Sequence, residues 1–444
     1  MKKIIIIISV FFACLVFISG IFLVRHHHRL NVVLITIDAL RWDHLGFMGY
    51  GKDTSPALDN ISKNSFLFTH VITQANFTPP SICSLLTSTY PGKHKVFDFG
   101  YEISKDVVSI AEILKKKGYF TALISEHAAF DIIKGLDKRF DLFEISGVEK
   151  SEFKEKIKGF LNINKKPFFL YLHLMSPHAD FKFLPVGYQR LFSPEDYFSQ
   201  TINTLKSQGN KILPNVLEPG INDISYYLAR YDSAIKYADS QIAYLLNMLD
   251  GKKLTDKTLI IISSDHGELL GEHGYYFHHR TPGMYEQEIK VGCLIYHRNH
   301  IEGFNTIGQQ VESIDIMPTI LDYLKIPKNR DMQGVSLYPL IKGDNNYEKK
   351  YAFSFSFSRG SVNHVVRTDK HKLLLQHGGV LSLFDLSLEE SAQNDIYTTE
   401  SVIGKELNLV LDDYIKENFS FRLEEHIQLS EKEKMRLRSL GYTY

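Results

Sequence analysis

Three short stretches carry side chains able to attack an ester-bound anion. Thr78 stands in Phe77-Thr78-Pro79-Pro80-Ser81, ahead of the apolar Ile82, Leu85 and Leu86. Proline is tolerated in the first turn of a helix, so the stretch reads as a helix start with Thr78 near its N-cap. Unpaired first-turn amides and the helix dipole would then face the same volume as the hydroxyl, which suits a tetrahedral anion such as phosphate or sulfate. Capping alone would also account for a threonine there. Asp38 and the adjacent pair Asp265-His266 add hard oxygens and an imidazole, a donor set for a divalent cation. A cation beside a hydroxyl lowers its pKa and makes it a nucleophile.

These groups need elements to hold them. Asp38 closes the apolar run that begins at Asn31, and Asp265 closes the run that begins at Thr258. Continuous apolar runs of this length are expected of buried strands in a parallel sheet, and ligands collect at the carboxyl ends of such strands. Further strands are expected over Tyr119 to Ile124, after a helix from Val107 to Lys117, and over Pro167 to Leu174 and Lys290 to Tyr296. The Pro167 strand leads to Ser176-Pro177-His178, and a histidine just past a strand end can donate to a substrate oxygen or protonate a leaving group. His173, inside the strand pattern, reads as a core histidine.

Residues 181–223 lack periodicity and read as an insertion over the site. A helix from Ile224 to Leu249 follows, with Leu228, Ile235, Ile242, Leu245 and Leu249 on one stripe and Asp232 and Asp239 as surface or supporting groups. A helix is expected from Val311 to Leu324, carrying Asp315. Four alternating segments from Tyr351 to Asp385 read as antiparallel strands, with a packing helix from Leu407 to Glu417 and a charged helix after Leu429.

Lysine plus arginine and aspartate plus glutamate number 51 each, which leaves no basic footprint for nucleic acid. The three cysteines are scattered singly, so neither a disulfide framework nor a zinc cluster is indicated. Cys83 lies on the apolar side of the Thr78 helix and reads as a buried structural thiol. After Lys2 and Lys3, the 21 positions from Ile4 to Val24 hold no charge. That length suits an uncleaved membrane anchor better than the shorter apolar core of a secretory signal, with the rest of the chain facing periplasm or extracellular space. The expected division is an anchor or signal peptide at 1–30, a catalytic domain at 31–345, and a C-terminal subdomain with a helical tail at 346–444.

Taken in order, several motifs resemble the sulfatase family of the alkaline phosphatase superfamily, from about Asn31 onward. They are Ile37-Asp38-Ala39-Leu40-Arg41, Thr54-Ser55-Pro56, Ser84-Leu85-Leu86-Thr87 before Tyr90-Pro91, Ser176-Pro177-His178, Ser264-Asp265-His266-Gly267-Glu268 and Asp315-Ile316-Met317-Pro318-Thr319. The resemblance implies an α/β fold, an alkaline-phosphatase-like three-layer sandwich with a mainly parallel central sheet and a small C-terminal α+β subdomain. It also implies a divalent metal held by Asp38, Thr78, Asp265 and His266, with one ion expected, two conceivable, and Mn, Mg, Ca or Zn open. His178 would touch the transferred anion, and His278, His279 and Arg280 would bind substrate.

Four departures bear on the chemistry. Sulfatases carry a Cys or Ser, oxidised to formylglycine, where this chain has Thr78, and an Arg where it has Ile82. Ala39 replaces a second metal-binding Asp, and Glu126 stands at a Lys position. Relatives with Thr at this place transfer or hydrolyse phosphoryl groups. The expected activity is therefore a membrane-anchored hydrolase or phosphotransferase acting on a phosphate ester, on a lipid or glycan. A sulfatase working without formylglycine and an inactive membrane-tethered binding protein stay open as alternatives.

Overall fold

A strand with water on neither face must be apolar on both, and Asn31–Ile37, buried along its whole length, is such a strand. It lies inside the sheet of a computed structural model that describes residues 29–146, 150–163, 167–178, 184–197, 211–212, 218, 220–221, 223–278, 281–344, 347, 349–358, 360–388, 394–419 and 429–439. The main elements of the first half are β1 (Asn31–Ile37), α1 (Pro56–Ser62), β2 (Ser65–Ile72), α2 (Thr78–Thr87), α3 (Ile110–Lys116), β3 (Phe120–Ser125), β4 (Leu142–Ile145), α4 (Lys150–Ile163) and β5 (Phe168–Leu174). Those of the second half are α5 (Ile224–Gly251), β6 (Thr258–Ser264), β7 (Lys290–Tyr296), β8 (Phe304–Ile307), α6 (Ile316–Tyr323), the strands β9 (Ala352–Ser358), β10 (Ser361–Arg367), β11 (His371–Leu375) and β12 (Leu381–Asp385), and α7 (Ser401–Asn418).

The central sheet runs β8-β2-β7-β6-β1-β5-β3-β4, with the short strand Val311–Glu312 also paired to β2. From β6 to β4 every pairing is parallel, while β7 runs antiparallel to both its neighbours. Apolar sides of α2 to α6 join the sheet in one core, including Ile82, Ile110, Phe153, Ile235 and Ile320. Each such side chain contributes roughly 1.5–3 kcal/mol on burial. This is the mixed α/β fold with a mainly parallel sheet that the sequence implied. A second, antiparallel sheet, β9 to β12 in order, packs on α7 through Val366, Leu373, Leu383, Leu407 and Leu411. It is tied back to the main body by a buried ion pair, Arg367 Nη2 to Glu286 Oε2 at 2.9 Å.

Some local expectations change. The Val311 to Leu324 segment is a short strand and a 3-10 turn before α6, so Asp315 sits at the N-cap of α6. Pro318, in the first turn, marks where that helix can begin. The Asp315 carboxylate accepts from the Glu312 and Val335 amides, the Tyr347 hydroxyl and Lys349, a structural knot. Asp232 and Asp239, expected as surface or supporting groups, are buried and support neighbouring segments. Asp232 receives the hydroxyls of Tyr50 and Tyr197 and lies 2.7 Å from His44 Nδ1. Asp239 accepts the Ala57 and Leu58 amides at the start of α1, where a carboxylate is favoured by the helix dipole. The apolar stretch from Ile4 to Val24 lies outside the described residues, and no helix among the described residues is long and apolar enough to cross a membrane.

Candidate active site

The parallel register sets the site. Ile37 on β1 pairs with Ser264 on β6, so the next residues, Asp38 and Asp265, emerge side by side at the carboxyl ends. Between them Ala39 adopts a left-handed backbone, φ 55°, and donates its amide to Asp265 Oδ1 at 3.3 Å. A non-glycine residue there costs about 1–2 kcal/mol, which the surrounding contacts must offset. The His266 amide also donates to Asp265 Oδ1, at 3.0 Å. Asp265 Oδ2 and Asp38 Oδ1 are buried and receive no hydrogen bond among the described residues.

His266 completes the arrangement. Its Nδ1 lies 2.7 Å from the Gly267 carbonyl, which fixes the proton on that nitrogen and leaves Nε2 with its lone pair. Nε2 is 3.5 Å from Asp38 Oδ1, 3.7 Å from Asp265 Oδ2 and 3.3 Å from the Thr78 hydroxyl. Burial, reinforced by the Asp265 charge, pushes the Asp38 carboxyl well above the usual carboxylate range. Two carboxylate oxygens without donors, an imidazole lone pair and a hydroxyl converge in a dry volume. A divalent cation relieves that arrangement, so the residues present fit the metal that the resemblance implied.

Thr78 is the first residue of α2, and the N-cap is the extended Phe77. Pro79 and Pro80 carry no N–H, and the Ser81 amide bonds to the Phe77 carbonyl at 3.3 Å. The expected set of free first-turn amides therefore reduces to that of Thr78 itself. The side chain of Thr78 is fully buried.

A belt of histidines lines the β5 side. His178 follows the β5 end, 6% exposed, and burial together with the nearby His266 lowers it to about 3, so its ring is neutral. His127 lies with its ring centroid 6.0 Å from His173 and 6.4 Å from His178. His173 turns into the site, with Nε2 3.4 Å from Asp38 Oδ2. The continuous apolar run of β5 concealed that orientation, because a site-facing residue of β5 is as buried as a core residue. Nor did the spacing reveal Glu268. Its Oε2 is buried without a hydrogen bond, and burial, with Glu288 and Asp38 adding to it, raises the carboxyl well above its usual range. Glu126, at the Lys position of the motif, accepts from the Met175 amide and the Gln241 side chain.

Among the expected substrate-binding residues, His278 ends the strand Tyr275–His278, opposite Leu269. His279 and Arg280 lie outside the described residues. Burial pushes the Cys83 thiol up to about 12, as expected of an inert core cysteine. A groove of about 870 Å³ beside α1 and the second half of α5, lined by Asn60, Lys236, Asp239 and Arg298, contains none of the residues named above as the site.

Fold and site together are those of an α/β protein of the alkaline phosphatase-like kind, with a buried cluster of residues able to hold a metal ion. Residues 30–326 match the family model described as Sulfatase, and residues 271–417 match N-sulphoglucosamine sulphohydrolase, C-terminal. The chain belongs to the sulfatase family, hydrolases of sulfuric or phosphoric esters. An ulvan-active sulfatase from Formosa agariphila is 24% identical over 405 residues, covering 82% of this chain and 76% of that protein. The phosphonate monoester hydrolase of Agrobacterium radiobacter superposes with a TM-score of 0.73 at 17% identity, covering 91% of this chain and 99% of that one. A protein solved with its substrate D-glucosamine-2-N,6-O-disulfate superposes at 0.71 and 18% identity, covering 90% and 100%.

Proposed function

We propose that the chain is a membrane-anchored, cation-dependent hydrolase or transferase of phosphate esters with Thr78 as its nucleophile. One observation carries the reading. The Thr78 hydroxyl heads α2, fully buried and 3.3 Å from His266 Nε2, and the motif resemblance puts it where sulfatases keep their aldehyde residue. The methyl group on its Cβ bars the oxidation that yields formylglycine. Asp38, Asp265, His266 and Thr78 would hold the cation, and this mixed oxygen and nitrogen set favours Mn or Zn over Ca. When bound, the cation supplies charge that lowers the hydroxyl pKa and offsets negative charge on the ester.

The residues then divide the work. Thr78 Oγ forms a bond to phosphorus as the bond to the departing oxygen breaks, and the net proton movement is from Thr78 to that oxygen. His178 offers a ring N–H to the leaving oxygen, and His278 or His279 a second donor. Water or an acceptor alcohol then takes the phosphoryl group from Thr78 and restores its proton. The Ile4 to Val24 segment would hold the enzyme at a membrane, with lipid or glycan esters within reach on the outer side.

A sulfate-ester reading without formylglycine is the second one, favoured by relatives such as the ulvan-active sulfatase. Matched nitrophenyl phosphate monoester, phosphodiester and sulfate, turned over by the full chain in detergent with added metal, decide between them. Phosphoester turnover lost in Thr78→Ala supports the proposal; dominant sulfate turnover, or turnover untouched by the substitution, removes it. Failure of all three with intact metal binding would favour the inactive binding protein.

A further inference from the structure

His173 has no part in the reading above, yet it ends a line of buried hydrogen bonds. The β1–β5 register places Thr36 opposite His173, and Tyr171 lies two residues earlier on the same face of β5. Tyr171 Oη is 2.7 Å from Thr36 Oγ1, Thr36 Oγ1 is 2.8 Å from His173 Nδ1, and His173 Nε2 is 3.4 Å from Asp38 Oδ2. Tyr171, Thr36, His173 and Asp38 are all fully buried.

The proton positions follow from Asp38. A carboxylate oxygen only accepts, so a hydrogen bond from His173 to Asp38 Oδ2 puts the ring proton on Nε2. Nδ1 then accepts from the Thr36 hydroxyl, which in turn accepts from Tyr171. With Oδ2 engaged, Asp38 Oδ1 is the oxygen left for the cation, and it is the one that receives no hydrogen bond.

We propose that His173 is a positioning residue, oriented by Tyr171 and Thr36, that locks the Asp38 carboxylate so that Oδ1 faces the cation. The inference rests on the reading of Asp38 and Asp265 as cation-holding residues. Its direct competitor is His173 as a ligand itself, because Asp38, His173 and Asp265 can bring one donor atom each within 4.8 Å of one another. In that case the ring proton would sit on Nδ1 and the line of donors would run the other way.

Mn²⁺ binding to the full chain separates these. Affinity is measured by calorimetry, and the number of coordinating imidazoles by pulsed electron paramagnetic resonance of the bound ion. Supports of metal ligands typically cost about 10–100-fold in affinity when removed. His173→Leu and Thr36→Val should therefore weaken binding by about tenfold or more. His173→Gln, whose amide can still donate to Oδ2, should recover most of it with an unchanged imidazole count. Tyr171→Phe, nearly isosteric, should show a smaller loss and keeps the test alive if His173→Leu does not fold.

One imidazole fewer in His173→Gln would make His173 a ligand and overturn the proposal. So would wild-type affinity in Thr36→Val and His173→Leu together. Asp265→Asn is the control for the underlying site: if it leaves Mn²⁺ binding intact, the reading of the cation site fails, whatever the other variants do.

Discussion

Ser84 Oγ and His94 Nε2 lie 2.9 Å apart in the dry interior behind the helix that presents Thr78. The Val96 amide donates to His94 Nδ1 at 3.1 Å, so the proton of the neutral ring is on Nε2, which faces Ser84 Oγ and the Pro80 carbonyl. Burial drives this imidazole down to about 3 from an ordinary 6.5. The unfolded chain therefore takes up a proton that the folded chain refuses. Stability from His94 is complete above about pH 6.5 and is lost as pH falls towards 3, at about 1.4 kcal/mol per unit. Urea unfolding between pH 7 and about 4 should show a steeper slope, because burial also lowers His127, His173, His178, His297 and His364, and His94→Asn should reduce it by about 1.4 kcal/mol per unit.

Thr78→Ala should leave the fold intact, since the hydroxyl caps no amide. Phosphoester turnover should drop by at least about 10³-fold, the scale seen when a nucleophile is removed. Thr78→Ser should keep measurable turnover. Intact mass after acid quenching should show one added phosphoryl group in the wild type and none in the alanine variant.

Gly267 has no room for a side chain. A Cβ there would stand 2.0 Å from the Gln287 carbonyl oxygen, while its amide is held by Glu288 at 2.8 Å. Gly267→Ala must shift backbone, at about 1–3 kcal/mol. Because the Gly267 carbonyl orients His266, cation affinity measured by calorimetry should fall along with the melting temperature.

Arg367 and Glu286 join the C-terminal sheet to the main body, with Lys372 a further 3.8 Å contact to Glu286. Burial works to raise Glu286, but the Arg367 and Lys372 charges outweigh it and hold the carboxyl low. Arg367→Met would leave that charge buried with Lys372 and Lys290 as the cations still acting on it. The expected loss is about 3–5 kcal/mol in chemical unfolding, and adding Glu286→Gln should recover part of it.

The sequence alone determined the buried strands and which polar groups stand at their ends. Asp38 and Asp265-His266 were legible because each closes an apolar run, and a polar group at such a place has few roles other than binding. Thr78 was legible because two prolines mark a helix start. The same prolines, however, leave that helix with little of the anion-binding amide set a generic N-terminus has, a point that depends on where its cap falls. His173 and Glu268 were decided by tertiary structure. A buried strand shows its neighbours only through register, and nothing in the chain states that Thr36 lies opposite His173 or that Glu268 would lose access to water. Asp232 was hidden for the same reason: its partners His44, Tyr50 and Tyr197 come from segments far apart in sequence, brought together only when α5 packs. Local periodicity records which residues avoid water. Which of those buried groups meet one another is set by packing between distant segments.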